Sequence, residues 1–452
     1  MAIVLGSWRR GSRHGAADLA AAIEMQVLDG QLPVGTQLPA ERELAEALGV
    51  SRTLIGAALD RLREGGLVAS RRGAGSWITA PRTGAIDPAV HAGEDLIDLA
   101  RASPPAVPRL SAAVDAARRA LTAELGGTGY AGLGLPVLRE RVAQRYTERG
   151  LPTSPAQVMI TNGAHHAFVL ALRMLAGPGD RVLVEQPTYP NSLEAIRAAH
   201  ALPVPVAMTE EGWDFDGIEA VLRQASPRLG FLIVDFQNPT GWRMDGEGRE
   251  RLGRMFARAR TPLVLDETLA ELDLGNAAAP TPLASAILLG SCSKSHWGGL
   301  RIGWIRAAED VLARLSSTRF GVDLGSPVFE QLVLAELLTE SLQRRRDEIR
   351  AQRDALAAAL RDYCPDWTFR VPDGGLSLWC KLSEPMSTRL AVAAASHGVQ
   401  LAPGSRFGAH GGLERWLRLP YAQPSDRLVE AVRRLSVAAA SVRGGATDVP
   451  VT

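Results

Sequence analysis

Lysine is nearly missing from this 452-residue chain. Of its 50 lysines and arginines only Lys294 and Lys381 are lysine. Arginine serves for surface charge, phosphate contacts and ion pairs. It cannot form a Schiff base, because its guanidinium stays protonated, whereas a desolvated lysine amine can lose its proton. Lys294 lies in SCSKSHWGGLRIGW, among small hydroxyls and glycines. A strand-end lysine reaching solvent and a reactive amine both suit that setting. Lys381 fits no such pattern and is expected at the surface.

Cysteine is scarce as well. Cys292, Cys364 and Cys380 show no metal-like spacing, and an odd count argues against a disulfide framework. No metal site is expected. No run of about 18 apolar residues occurs, and the apolar stretch Ile3 to Leu5 is too short for a signal peptide. A cytoplasmic protein without a membrane span is therefore expected. Neither sign of charge dominates, since 50 basic residues meet 49 acidic ones, and 46% of the chain is hydrophobic. That composition excludes a disordered chain, and the length predicts two or three domains.

The first 80 residues carry helix signals. Leu19, Ile23 and Val27 recur at four-residue spacing. Pro39 precedes a helical run with Leu44 and Leu48, which Gly49 stops. Ser51 is a good N-cap for a second helix, with Leu54, Ala58 and Leu62 facing inward. Two short helices around a tight turn make a helix-turn-helix. Beyond Gly65 and Gly66, two β-prone runs flank Arg71 to Gly75, a hairpin with a basic tip. A helical domain for protein contacts is the alternative. The placement of Arg52 at the head of the second helix and of Arg71 and Arg72 at the hairpin favours DNA.

Residues 81–95 are a Pro/Gly-rich linker without periodicity. After them, apolar runs alternate with helical stretches: QVMITNG, RVLVEQPTYP, LGFLIVDFQNPTG, PLVLDETLA and AILLGSCSKS. Each ends in a polar turn, which predicts an α/β domain on a mostly parallel sheet with ligands at the strand ends. Gly163 and Ala164 open a helix whose free N–H groups suit a phosphate. Asp266 ends an apolar strand and needs a cation or donors there.

The N-terminal motifs LPAERELAEALGVSRT and EGGLVASRRGAGSWI resemble the winged helix of GntR-type regulators. That resemblance implies that Arg42, Ser51, Arg52, Thr53, Arg72 and Gly73 contact double-stranded operator DNA. Gly56 departs from the pattern, standing where many relatives carry a basic residue. The later motifs, SKSHWGGLRIGW above all, resemble fold-type-I, aspartate-aminotransferase-like enzymes over about residues 96 to 443. By that resemblance the cofactor is pyridoxal 5'-phosphate, bound as an internal aldimine to Lys294. Asp266 holds the pyridine nitrogen, Asn238 and Tyr189 position the ring, and Gly163, Ala164, Ser291 and Arg301 hold the phosphate. Tyr130 reaches the phosphate of a second subunit, and Arg418 clamps a carboxylate.

Together the two halves resemble MocR-type regulators. The boundaries expected are a winged helix over 13–80, the linker, and an aminotransferase-like domain over 96–443. A smaller α+β subdomain would come from 96–128 and 314–443. The resemblance implies a homodimeric transcriptional regulator that senses an amino acid, an amine-like effector, or the cofactor itself. The competing reading is a working aminotransferase with an accessory N-terminal module.

Overall fold

The computed structural model describes residues 15–28, 32, 36–64, 67–71, 75–79, 96–275 and 278–444. Arg72, Gly73 and the linker 81–95 lie outside the described residues. The chain divides into two compact units, one from 1–98, 381–417 and 434–452, the other from 99–380 and 418–433.

In the first unit, the helix Gly15–Leu28 buries Leu19 and Ile23 as their spacing predicts. Helix Glu41–Leu48 ends at Gly49, whose φ of 64° is the left-handed cap that glycine adopts at little cost. Ser51 Oγ accepts the Leu54 N–H at 3.2 Å and caps helix Arg52–Glu64. That helix buries Ile55, Ala58, Leu59 and Leu62, while Leu54 is only half-buried. The inward face is thus centred one residue further on than Leu54 suggests. Strands Val68–Arg71 and Gly75–Ile78 pair antiparallel, which is the expected hairpin. A third strand, Gln37–Leu38, joins Gly75–Ile78 and completes the wing. At two residues it is too short to leave a periodic signal. Elsewhere in this unit lie helix Ser387–Ser396 and strand Val399–Pro403.

The second unit is built on an eight-stranded sheet. Its order is 158–161, 303–306, 287–291, 263–266, 229–232, 181–186, 202–209 and 212–213. The run from Ile287–Ser291 to Leu202–Thr209 is parallel. Gly303–Arg306 is antiparallel to both Ile287–Ser291 and Val158–Thr161. Two reversals restore direction, so Val158–Thr161 runs with the parallel set and ends on the same edge. The strands inside the edge pair Leu202–Thr209 and Gly212–Trp213 are almost wholly buried, with Val182, Leu183, Val184, Val264, Leu265, Leu288 and Leu289 inaccessible, whereas Leu202–Thr209 is largely half-buried. This matches their near-continuous apolar sequences. Helices such as Ala164–Leu175 and Gly246–Ala259 pack on the sheet through Phe168, Leu252 and Phe256. The long helix Gln343–Tyr363 and the short strands Thr368–Phe369 and Ser377–Lys381 follow.

Candidate functional site

The parallel register carries the polar turns to one edge of the sheet. Tyr189 follows strand Arg181–Gln186, Asn238 lies beyond Leu229–Leu232, Asp266 ends Leu263–Asp266, and Lys294 follows Ile287–Ser291. Gly163 follows Val158–Thr161. Arg301 precedes the reversed strand Gly303–Arg306 and so reaches the same edge.

Gly163 caps helix Ala164–Leu175 with φ of 92°, a backbone that strongly favours glycine. A Cβ there would lie 2.9 Å from Arg301 Nη2. The guanidinium therefore rests against the start of the helix, and Arg301 Nη2 donates to Asn162 O at 3.2 Å. Arg301 itself has φ of 54°, uncommon outside glycine. A helix N-terminus with an adjacent guanidinium is an anion cradle. His166 braces it: Nδ1 accepts the Asn162 N–H at 3.1 Å, and Nε2 is 3.2 Å from Asp323 Oδ2. Its neighbour His165 is exposed.

Lys294 sits in a π-helical turn, Ser293–Trp297, a form that recurs at functional sites. Burial lowers its pKa to about 8, with Arg418 and Arg301 adding to the shift and Asp266 opposing it. A neutral amine is thereby accessible near neutral pH. Asp266 is pushed the other way. Burial raises its pKa, and the hydroxyl and N–H of Thr268 hold it back, the N–H at 2.8 Å from Oδ1. Tyr189 is raised by burial and by Asp266, and its hydroxyl accepts from Asn191 Nδ2 at 2.8 Å. Cys292, beside Lys294, points into the core, and burial lifts its pKa to about 12. It is inert by that measure.

Arg418 is buried, donates to Ala100 O, and reaches Asn238 Oδ1 at 3.4 Å. Lys294 Nζ donates to Ala102 O at 2.8 Å. One short segment therefore meets both the amine and the guanidinium. Sequence reasoning missed this, since backbone carbonyls leave no residue signature. Ser291 is buried, its hydroxyl donating to Ile302 O at 3.3 Å and accepting the Ser293 N–H at 3.1 Å. Tyr130 is 72% exposed on the loop before helix Pro136–Glu148 and makes no side-chain hydrogen bond within the described chain. Arg42, Ser51, Arg52 and Thr53 are all exposed on the winged helix.

An anion cradle, a half-buried carboxylate at a strand end, a lysine of lowered pKa and a buried arginine match the parts that pyridoxal phosphate requires. The Gly163 position, which a Cβ would crowd against Arg301, is the most specific of them.

The class I and II aminotransferase family matches residues 95–435, and the GntR family of bacterial regulatory proteins matches residues 16–78. The chain is 34% identical over 296 residues to the 2-aminoadipate transaminase of Thermus thermophilus, covering 62% of this chain and 75% of that one. Two regulators align along more of its length. One is the HTH-type transcriptional regulator YdcR of Escherichia coli, at 27% identity over 92% of this chain and 97% of its own. The other is the probable rhizopine catabolism regulatory protein MocR of Rhizobium meliloti, at 27% over 88% of each. Among solved structures, LysN is an α-aminoadipate aminotransferase from Thermus thermophilus, complexed with N-(5'-phosphopyridoxyl)-L-leucine. It superposes with a TM-score of 0.70 and 31% identity, over 78% of this chain and 94% of that one. With a GntR-type segment at its N-terminus, the chain thus belongs to the class I and II aminotransferases, in the two-part arrangement of the MocR-type regulators, and its cofactor is pyridoxal phosphate.

Proposed function

We propose that the protein is a homodimeric, cytoplasmic transcriptional regulator in which occupancy of the cofactor site governs operator binding. Pyridoxal phosphate supplies an aldehyde that condenses with amines, and an electron-poor ring. Lys294 would hold it covalently, Asp266 would face the ring nitrogen, and Tyr189 and Asn238 would fix the ring. Gly163, Ala164, Ser291 and Arg301 would hold the phosphate, with Tyr130 of the partner subunit completing that end. Arg42, Ser51, Arg52, Thr53, Arg72 and Gly73 would face double-stranded DNA.

One observation carries the sensing role. Lys294 Nζ and Arg418 donate to the carbonyls of Ala102 and Ala100, two residues apart. An amino acid presents an amine for the cofactor and a carboxylate for the Arg418 fork. Loading with the cofactor would take the Lys294 amine from the Ala102 carbonyl, and the carboxylate of an arriving amino acid would compete with the Ala100 carbonyl for Arg418. The segment so displaced begins the domain directly after the linker 81–95, so it is covalently placed to change how the winged helices are presented. A ligand shifts that presentation only by binding one arrangement better than the other.

The test is a titration of the cofactor-loaded protein with amino acids and with simple amines, read by the cofactor spectrum and by operator binding. Amino acids are expected to perturb both and simple amines to do so poorly. Arg418→Ala should erase that preference while leaving the Lys294 linkage intact. If only adding or removing pyridoxal phosphate changes operator binding, the cofactor is itself the signal and the effector role fails. Rapid turnover with an oxo-acid acceptor, without any change in operator binding, would instead mark a working aminotransferase.

A further inference from the structure

Glu185 is an acid within an apolar strand, Arg181–Gln186, and is 2% exposed. Among the described residues it has no cationic partner, and each of its hydrogen-bond donors is neutral. Its Oε1 accepts from Trp213 Nε1 at 2.6 Å and from the Ile233 N–H at 3.1 Å. Its Oε2 accepts from Gln237 Nε2 at 3.1 Å. Burial lifts its pKa to about 8 against these three donors, which favour the ionised form, while the charge of Asp266 adds to the rise. An apolar side chain would complete the strand without that cost. What an acid adds is a fixed orientation for Gln237.

Gln237 is fully buried and links two turns. Its second N–H donates to Pro187 O at 2.7 Å, two residues before Tyr189. Its Oε1 accepts from the N–H and hydroxyl of Thr240, at 3.0 and 2.8 Å, two residues after Asn238. Its backbone closes the second turn, donating to Trp242 O at 2.7 Å and accepting the Gly241 N–H at 2.6 Å. We propose that Glu185 is a positioning residue for the cofactor. By orienting the Gln237 amide, it ties the turn bearing Tyr189 to the turn bearing Asn238 and sets both side chains for one ring. This rests on the cofactor and on the ring-holding roles of Tyr189 and Asn238. It is independent of whether the protein regulates transcription.

All three donors point at the two oxygens, which is the geometry of a carboxylate, and burial makes that the prevailing form above about pH 8, where the experiment is run. Only an acceptor at both oxygens can serve donors arriving from two sides. A glutamine of the same shape must turn its NH2 toward one of them. It then either opposes Trp213 and Ile233, or meets the Gln237 NH2 and forces that amide over, away from Thr240. Glu185→Gln thus cuts the link while preserving volume.

The experiment titrates the full-length protein with pyridoxal phosphate and measures its dissociation constant and the visible circular dichroism of the bound cofactor. Melting of the cofactor-free protein is measured alongside. Glu185→Gln is expected to weaken cofactor binding by about tenfold and to diminish the dichroism, with a fall in the cofactor-free melting temperature too small to account for that loss. Gln237→Leu should do the same. The double variant should be no weaker than either single one, because the two residues act through one link. Wild-type affinity and dichroism in Glu185→Gln would overturn the proposal, as would losses that add in the double variant. A lowered melting temperature that accounts for the whole loss would reduce Glu185 to a structural residue. Should Glu185→Gln fail to fold, Thr240→Val loosens the same amide from its other end. Reduced dichroism in that variant supports the link, and unchanged dichroism sinks it.

Discussion

At the scale of single residues, Lys294 owes its chemistry to its surroundings. Desolvation is the largest cause of its lowered pKa, and the cationic neighbours Arg418 and Arg301 add to it. A lysine with its ordinary value would be almost wholly protonated at neutral pH. With a value near 8, roughly a tenth of the amine is neutral at pH 7. Covalent capture of pyridoxal phosphate should accordingly accelerate as pH rises and level off above about 8, when followed by absorbance. Arg418→Ala removes a positive neighbour and should move that midpoint upward. Lys294→Arg keeps the charge and should abolish the borohydride-trappable adduct. Covalent trapping that persists in Lys294→Arg would place the linkage on another residue. Gly163 makes a second case. Gly163→Ala imposes a Cβ 2.9 Å from Arg301 Nη2 on a backbone at φ 92°. Cofactor affinity is expected to fall at least about tenfold, since this glycine-only backbone region alone costs an alanine about 1–3 kcal/mol.

At the scale of elements, the winged helix and the sheet edge differ in how local they are. Helix Arg52–Glu64 begins at a serine cap whose oxygen takes the Leu54 N–H. Ser51→Ala should therefore lower the stability of this N-terminal module by about 1 kcal/mol, measured by its thermal unfolding. Arg52 is exposed at the first position of the same helix. Arg52→Ala should weaken operator binding with the cofactor absorbance intact. A phosphate contact would lower the salt slope by about one unit, and a base contact would relax specificity at one position. Unchanged affinity would show that this helix does not enter the groove. Much of this module was legible in advance, because caps, stops and four-residue spacing are local. Strand Gln37–Leu38 was not, because its existence depends on its partner rather than on its two residues.

At the scale of the whole molecule, exposed apolar side chains support dimerisation. Leu125 and Tyr130 are 72% exposed, and Phe320 and Leu324 are 66% and 50% exposed. Their loops are neighbours: a Cβ on Gly325 would lie 3.1 Å from Ala131 O, and Arg319 Nη1 donates to Gly132 O at 2.9 Å. A second copy would bury this patch and bring Tyr130 to the opposite phosphate site. Subunit mixing tests that arrangement. Tyr130→Ala and Lys294→Arg subunits are each defective, yet a mixed dimer contains one site with Lys294 from one chain and Tyr130 from the other. Mixing should restore tight cofactor binding at that site, read as borohydride-trapped cofactor per dimer. No restoration would mean that Tyr130 serves its own chain or none.

Local patterns in the chain were enough to read its two families and its fold class. A chain almost free of lysine that keeps one between hydroxyls and glycines singles out Lys294 as the candidate amine, and apolar runs that end in polar turns mark the strand ends. Gly49 and Ser51 set the turn of the N-terminal module through backbone preferences that need no partner. Only the tertiary structure decided what depends on residues far apart in the chain. The reversal of Gly303–Arg306, which carries Arg301 to the sheet edge beside Gly163, follows from pairing with strands more than a hundred residues apart. The capture of Lys294 and Arg418 by the Ala102 and Ala100 carbonyls has no sequence signature, since every residue carries a carbonyl. Glu185 is an acid in an apolar run, and nothing local singles it out. Its bond to Gln237, 52 positions away, exists only because parallel strands place the two side by side.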